Sequence, residues 1–141
     1  MDAVPCVDDH VLVIDAGEGV QEQSRRHGYL LHLLGVRQVA VAVNKMDRVG
    51  YDRGRFAALE AECNRYLSSI GVSATCFLPV SARDGENVAA APAAMPWYEG
   101  PTVLEALERF RVVTAPEDLP LRMPVQDVYR FDTRRILAGR V

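Results

Sequence analysis

Val11-Leu12-Val13-Ile14 is a short unbroken apolar run closed by Asp15 and followed by Gly17 and Gly19. A run of that kind predicts a strand buried on both faces that opens into a loop. From Gln23 to Leu34 the apolar residues Tyr29, Leu30, Leu31, Leu33 and Leu34 are expected to crowd one side, and Gly35 follows as a stop, so a helix is expected. Val39-Ala40-Val41-Ala42-Val43 is a second buried strand, ending at Asn44-Lys45-Met46-Asp47. Phe56, Leu59, Cys63, Tyr66, Leu67 and Ile70 recur at helical spacing, which predicts a helix from about Arg53 to Ile70 with Gly71 ending it. Thr75-Cys76-Phe77-Leu78-Pro79-Val80 is a third strand, ending at Ser81-Ala82-Arg83.

The remainder is less regular. Asp84 to Pro96 is rich in Ala, Gly and Pro and predicts a loop. Gly100-Pro101 has the form of a cap and first-turn pair, opening a third helix through Phe110. Thr114 to Pro120 holds two prolines and two acids and has the character of a linker. Met123 to Tyr129 and Arg135 to Val141 then predict two strands around a turn near Asp132. Strand and helix alternate through the first part, the pattern of an α/β fold with a parallel sheet and helical crossovers. The closing hairpin breaks that rhythm and predicts the first piece of a separate β-domain. The expected division is 1–113 for the α/β part and 114–141 for the linker and hairpin.

Composition narrows the function classes. The chain has 141 residues, 49% hydrophobic and 25% charged, the balance of a folded domain. Its net charge of -3 argues against a general DNA or RNA binder, which would carry a basic excess. No apolar run is long enough to span a bilayer, and Met1 to Pro5 lacks the features of a signal peptide. Cys6, Cys63 and Cys76 share no metal-ligand spacing and are expected as reduced thiols, which points to a cytoplasmic setting without a membrane partner. Of the 16 basic residues, Lys45 is the only lysine. It follows Asn44 and precedes Met46, so the phosphate-binding pattern of Gly, four residues, Gly-Lys-Ser/Thr does not occur in these residues.

In open α/β sheets, ligands sit beyond the carboxyl ends of the strands. Two polar clusters occupy that position, Asn44-Lys45-Met46-Asp47 and Ser81-Ala82-Arg83. Their chemistry suits guanine. The base offers adjacent N1–H and amine donors, and a carboxylate such as Asp47 can accept both. Adenine has no such pair and would leave the carboxylate unpaired, a discrimination of ~10⁴-fold or more in sites of this kind. Asn44 can brace the two loops, the Lys45 stem can lie over the ring, and the Ala82 N–H can donate to the base O6. The Arg83 stem could also cover the base, although a surface role is the simpler expectation.

Asn-Lys-x-Asp after one strand and Ser-Ala-x after the next resemble the guanine-specificity motifs of GTPases. Val13 to Ala16 with Gly19-Val20, Gln23 to His27, Met95 to Thr102 and Pro124 to Tyr129 resemble the translation-factor GTPases. The runs Arg25 to His27, Leu33 to Val36 and Asn44 to Asp52 look most like the large, GTPase subunit of bacterial sulfate adenylyltransferase, including its nodulation-type bifunctional form. Elongation factor 1-alpha is the close relative, and Val125 to Tyr129 leans towards it. The resemblance runs from about Val7 to Val141. It implies the C-terminal half of a P-loop GTPase domain, with the last three of six main strands, then the opening hairpin of a β-barrel.

It also implies GTP or GDP as ligand, with guanine recognition by Asn44, Lys45, Asp47, Ser81, Ala82 and Arg83. Mg is expected only in a longer protein with the phosphate-handling half. The leading reading is a fragment of the sulfate adenylyltransferase GTPase subunit, where GTP hydrolysis drives adenylylsulfate synthesis carried out by a small partner subunit. The alternatives are a fragment of a translation elongation or release-type GTPase, where RNA would be a partner, and an inactive structural fragment.

Plainer roles compete at each position. Asn44 and Asp47 could simply form a turn capping the next helix, and Lys45 could be solvated. Asp15 is expected to be structural at a strand end. His27 and His32 fall on different helix faces, which disfavours a zinc site, and His10 is expected to stand before the first strand, with no partner in sequence. Trp97-Tyr98 is expected to pack against the third helix rather than stack on nucleic acid. The first strand is expected to present an unpaired edge, which favours self-association. Light scattering checks this: oligomers are expected, and a monodisperse, cooperatively unfolding monomer counts against it.

Overall fold

The computed structural model describes residues 9–36, 38–110, 125–131 and 134–139. Strand β1 (Asp9–Asp15) leads to helix α1 (Glu22–Leu33), then strand β2 (Gln38–Asn44), helix α2 (Arg53–Ser69), strand β3 (Ala74–Pro79) and helix α3 (Val103–Glu108). Strands β4 (Val125–Phe131) and β5 (Arg134–Gly139) form a separate antiparallel pair. The expected linker at Thr114 to Pro120 and the turn near Asp132 lie outside the described residues.

The three-stranded sheet has the order β1-β2-β3, all parallel. Central β2 is buried on both sides. Val39, Val41 and Val43 pack with Leu12, Ile14, Phe56, Leu59 and Leu67, the side covered by α1 and α2. Ala40 and Ala42 pack with Leu78, Val80 and Ala106, the side covered by α3. Valine fills the thicker layer, and alanine leaves room for the loop and short helix on the other. The outer edge of β1 has no paired strand among the described residues, and Val13 is 57% exposed there.

Helix α2 follows its periodicity: Phe56, Leu59, Cys63 and Leu67 form its buried stripe. Asp52 caps it by accepting from the Arg55 N–H at 2.6 Å, and Val72 N–H closes its far end onto Leu67 O at 2.9 Å. Helix α1 departs from the sequence expectation. Gly28 and Leu31 are its buried residues, while Tyr29, Leu30, Leu33 and Leu34 are exposed. At about 100° per residue, so dense an apolar run covers most of the helix circumference, and only one stripe can face the sheet. Gly28 makes the close approach: a Cβ there would lie 3.2 Å from atoms of Leu67 and Tyr66.

Two further expectations need correction. The third helix is capped at Thr102, not Gly100. Thr102 and Glu105 exchange side-chain-to-backbone hydrogen bonds of 3.2 and 2.9 Å, a reciprocal box that fixes the helix start two residues later. His10 lies inside β1, not before it, and its ring sits 5.0 Å from that of His27 on α1. Among the described residues no helix is long and apolar enough to cross a membrane.

Burial predicts the stability ranking. Leu59 is 1% exposed and Leu34 is 74% exposed. In urea unfolding, Leu59→Ala is expected to cost about 3 kcal/mol, and Leu34→Ala less than about 0.5 kcal/mol.

Candidate functional site

The parallel register sets Asp15 opposite Asn44, and Val43 opposite Pro79. The ladder continues past the strands: Ala16 N–H donates to Asn44 O at 2.8 Å, Val80 N–H to Val43 O at 2.9 Å, and Met46 N–H to Val80 O at 3.1 Å. All three strand ends therefore open onto one rim.

The chain turns sharply at Lys45, whose φ of 64° and ψ of 36° are left-handed. It then enters a 3-10 turn over Met46–Val49. Met46 is fully buried and anchors this turn in the core. Asn44, Lys45 and Asp47 remain on the rim. The third position of the motif is thus a packing anchor, a role the sequence reading did not assign. The Asn44 carboxamide accepts from its neighbour's Lys45 N–H at 2.7 Å and, across the rim, from Ala82 N–H at 3.1 Å. The expected brace between the two loops is present.

Ser81 is fully buried, and its hydroxyl lies 2.8 Å from Asp47 Oδ1 and 3.3 Å from Asp84 Oδ2. Its loop closes as a tight turn, with Ser81 and Glu86 exchanging backbone bonds of 3.2 and 3.1 Å. Buried Asn87 supports the turn by donating to Pro79 O at 2.9 Å and accepting from Val103 N–H at 3.1 Å. Arg83 is exposed on the rim. Five of the six expected residues, Asn44, Lys45, Asp47, Ser81 and Ala82, are thereby brought to one place, with Arg83 beside them.

Lys45 Nζ lies 2.6 Å from Asp15 Oδ2. Asp15 Oδ1 accepts from Gly17 N–H at 2.8 Å and Glu18 N–H at 3.2 Å. The lysine hydrogen bond is the main cause that holds the Asp15 carboxyl below its ordinary value, with the two backbone donors helping and burial opposing. Asp15 thus ties the turn after β1 and anchors the ammonium of the motif lysine. Behind it, Arg55 donates to Ala16 O at 2.8 Å and Gly17 O at 3.0 Å, tying the β1–α1 turn to α2.

Trp97 and Tyr98 pack beneath the rim. Their rings lie 5.6 and 6.2 Å from that of Phe56 on α2. Trp97 Nε1 donates to Tyr51 O at 3.1 Å, and the Tyr98 hydroxyl lies 3.1 Å from Pro101 O and 3.2 Å from Phe77 O, either of which can accept its proton. Burial raises the Tyr98 hydroxyl to about 12. The pair packs mainly on α2, while Tyr98 also touches the layer that holds α3. Sequence reasoning missed Tyr51, Asp84 and Asn87. The only signal was their place just after the two motifs.

The family model for the elongation factor Tu GTP binding domain matches residues 2–113. Elongation factor 1-alpha of Pyrococcus furiosus is 43% identical over 95% of this chain and 34% of its own length. Elongation factor 1-alpha of Thermoplasma acidophilum is 46% identical over 86% of this chain and 30% of its own. Among solved structures, sup35 complexed with GDP superposes with a TM-score of 0.68 at 29% identity, over 92% of this chain and 35% of that one. The chain spans about a third of the length of these relatives.

The ion pair gives a titration test. A carboxyl held low in the folded state contributes stability above its unfolded value and loses it as pH falls through the folded one, here the acid limb below pH ~4. Lys45→Met is expected to return the Asp15 carboxyl upward, so that its carboxyl carbon resonance titrates at higher pH and its contribution to stability on the acid limb shrinks. An unmoved Asp15 titration would refute the pairing.

Proposed function

The chain belongs to the elongation factor Tu GTP-binding-domain family, and on that premise we propose that the rim beyond β2 and β3 binds the base of a guanine nucleotide, GTP or GDP, within a translation elongation-type GTPase. The observation that carries this reading is the hydrogen-bonded joining of two loops, Asn44 to Ala82 and Asp47 to Ser81. It places an oriented carboxylate at the end of the sheet, where ligands of such folds bind.

Each residue has a distinct task. Asp47, steadied through Oδ1 by Ser81, accepts from the guanine N1–H and amine as a charge-assisted pair. Asn44 holds the two loops together. With its ammonium on Asp15, Lys45 offers its methylene stem to the face of the ring. The Ala82 N–H, which donates to Asn44 at 3.1 Å, turns to the base O6 or is shared with it. Arg83 borders the ring. No residue here is assigned to phosphate or to Mg, because the phosphate-loop pattern does not occur in the sequence.

The relatives support the elongation-type reading over the sulfate adenylyltransferase GTPase subunit, whose case rests on short runs such as Asn44 to Asp52. Sup35 was solved with GDP, which supports a guanine nucleotide as the ligand of this rim.

Calorimetric titration with GDP and, separately, ADP tests the proposal, with Asp47→Asn as control. Affinity is expected to be weak, since phosphate contacts at a loop and helix N-terminus normally supply most of it. GDP is expected to bind in preference to ADP, and the variant to lose that preference. Equal binding of both nucleotides, or an unchanged variant, would overturn the assignment.

A further inference from the structure

Tyr51 has a φ of 56°, left-handed backbone that a bulky side chain adopts only under strain. Two bonds hold it there. Its N–H donates to Met46 O at 2.9 Å, and its carbonyl accepts from Trp97 Nε1 at 3.1 Å. The result is that its hydroxyl reaches Asp84 Oδ2 at 2.8 Å. Asp84 in turn lies 3.3 Å from Ser81 Oγ, and Ser81 Oγ lies 2.8 Å from Asp47 Oδ1. Four side chains thus form one line that ends on the carboxylate assigned to the base.

Proton counting gives the line a direction. A serine hydroxyl has a single proton to donate. Two carboxylates, Asp47 and Asp84, lie within its reach. The carboxylates themselves only accept, so the competition is settled by whichever one has another donor. Tyr51 is that donor for Asp84. The distances agree: the Ser81 hydroxyl is closer to Asp47 than to Asp84. The Asp84 N–H, 3.4 Å from Ser81 Oγ, completes the serine's bonding as a donor to its oxygen.

We propose that Tyr51 is a positioning residue for guanine specificity: by satisfying Asp84 it leaves the Ser81 proton to Asp47, and so fixes the orientation in which Asp47 meets both donors of the base. This rests on the guanine-pocket reading. Without the Tyr51 hydroxyl, Asp84 draws the Ser81 proton, and Asp47 loses the bond that orients it. The same logic makes Asp84 a rival whose removal is harmless. Tyr51→Phe is expected to act only while Asp84 is present.

The test compares GDP with inosine diphosphate, which keeps N1–H and lacks the amine, by titrating the nitrogen-labelled chain and following amide resonances. Wild type is expected to prefer GDP by about tenfold, the range of one charge-assisted hydrogen bond. Tyr51→Phe is expected to cut that preference to roughly threefold, a partial loss of the same bond, with inosine diphosphate, which makes one bond to Asp47 and not two, weakened less than GDP. Adding Asp84→Ala is expected to restore it. In the unliganded chain, the Asp47 carboxyl carbon resonance is expected to move in Tyr51→Phe and return in the double variant.

An unchanged preference in Tyr51→Phe would overturn the inference. So would equal weakening of both nucleotides, as from a merely structural role, or an unmoved Asp47 resonance. A wild type that prefers neither nucleotide would overturn the guanine reading itself, and this inference with it.

Discussion

The register of β2 between its two parallel neighbours governs everything at the rim. Side chains alternate with a period of two along a strand, so a slip of one residue would turn the valines of β2 towards α3 and its alanines towards α1 and α2. The thick and thin layers would then both be misfilled. The same slip would move Asn44 out of line with Asp15 and Met46 away from Val80, since both pairings are ladder steps carried past the strand ends. Core volume and site geometry are therefore fixed by one constraint.

From that constraint the polar groups take their places in turn. The strand ends deliver three backbone segments side by side, and each must turn away at once. Lys45 turns in left-handed backbone, and buried Met46 pins the 3-10 turn after it. The β3 exit folds back through the Ser81–Glu86 bonds. The turns leave amides without ladder partners, and side chains take them up: Asp15 for Gly17 and Glu18, Asn44 for Lys45 and Ala82. Local backbone satisfaction and the proposed chemistry of the base use the same residues, while the cap of the next helix falls to Asp52 and not to Asn44.

The sequence showed the sheet, α2 and the two motif loops plainly, because unbroken β-branched runs and a regular apolar stripe have few other structural solutions. It showed less where several signals overlapped. In α1 the dense run from Tyr29 to Leu34 marked a helix but could not say which stripe is buried; Gly28 decides that through contacts on α2. At α3 the Gly100-Pro101 pair suggested the helix start, and the Thr102–Glu105 box sets it two residues later. At the rim, Asn44, Asp47, Ser81 and Ala82 were legible as a set. The ion pair of Lys45 with Asp15 and the line through Tyr51 and Asp84 were not, since they join residues about 30 positions apart or more through side-chain reach alone.

Trp97 has an optical consequence. It is the chain's sole tryptophan, and its indole N–H is bonded to the carbonyl of the strained tyrosine behind the rim. Indole emission responds to that hydrogen bond and to the polarity around the ring. The domain thus carries a built-in fluorophore directly behind the rim, and its colour reports on the hydrogen bond that ties it to the Tyr51 carbonyl.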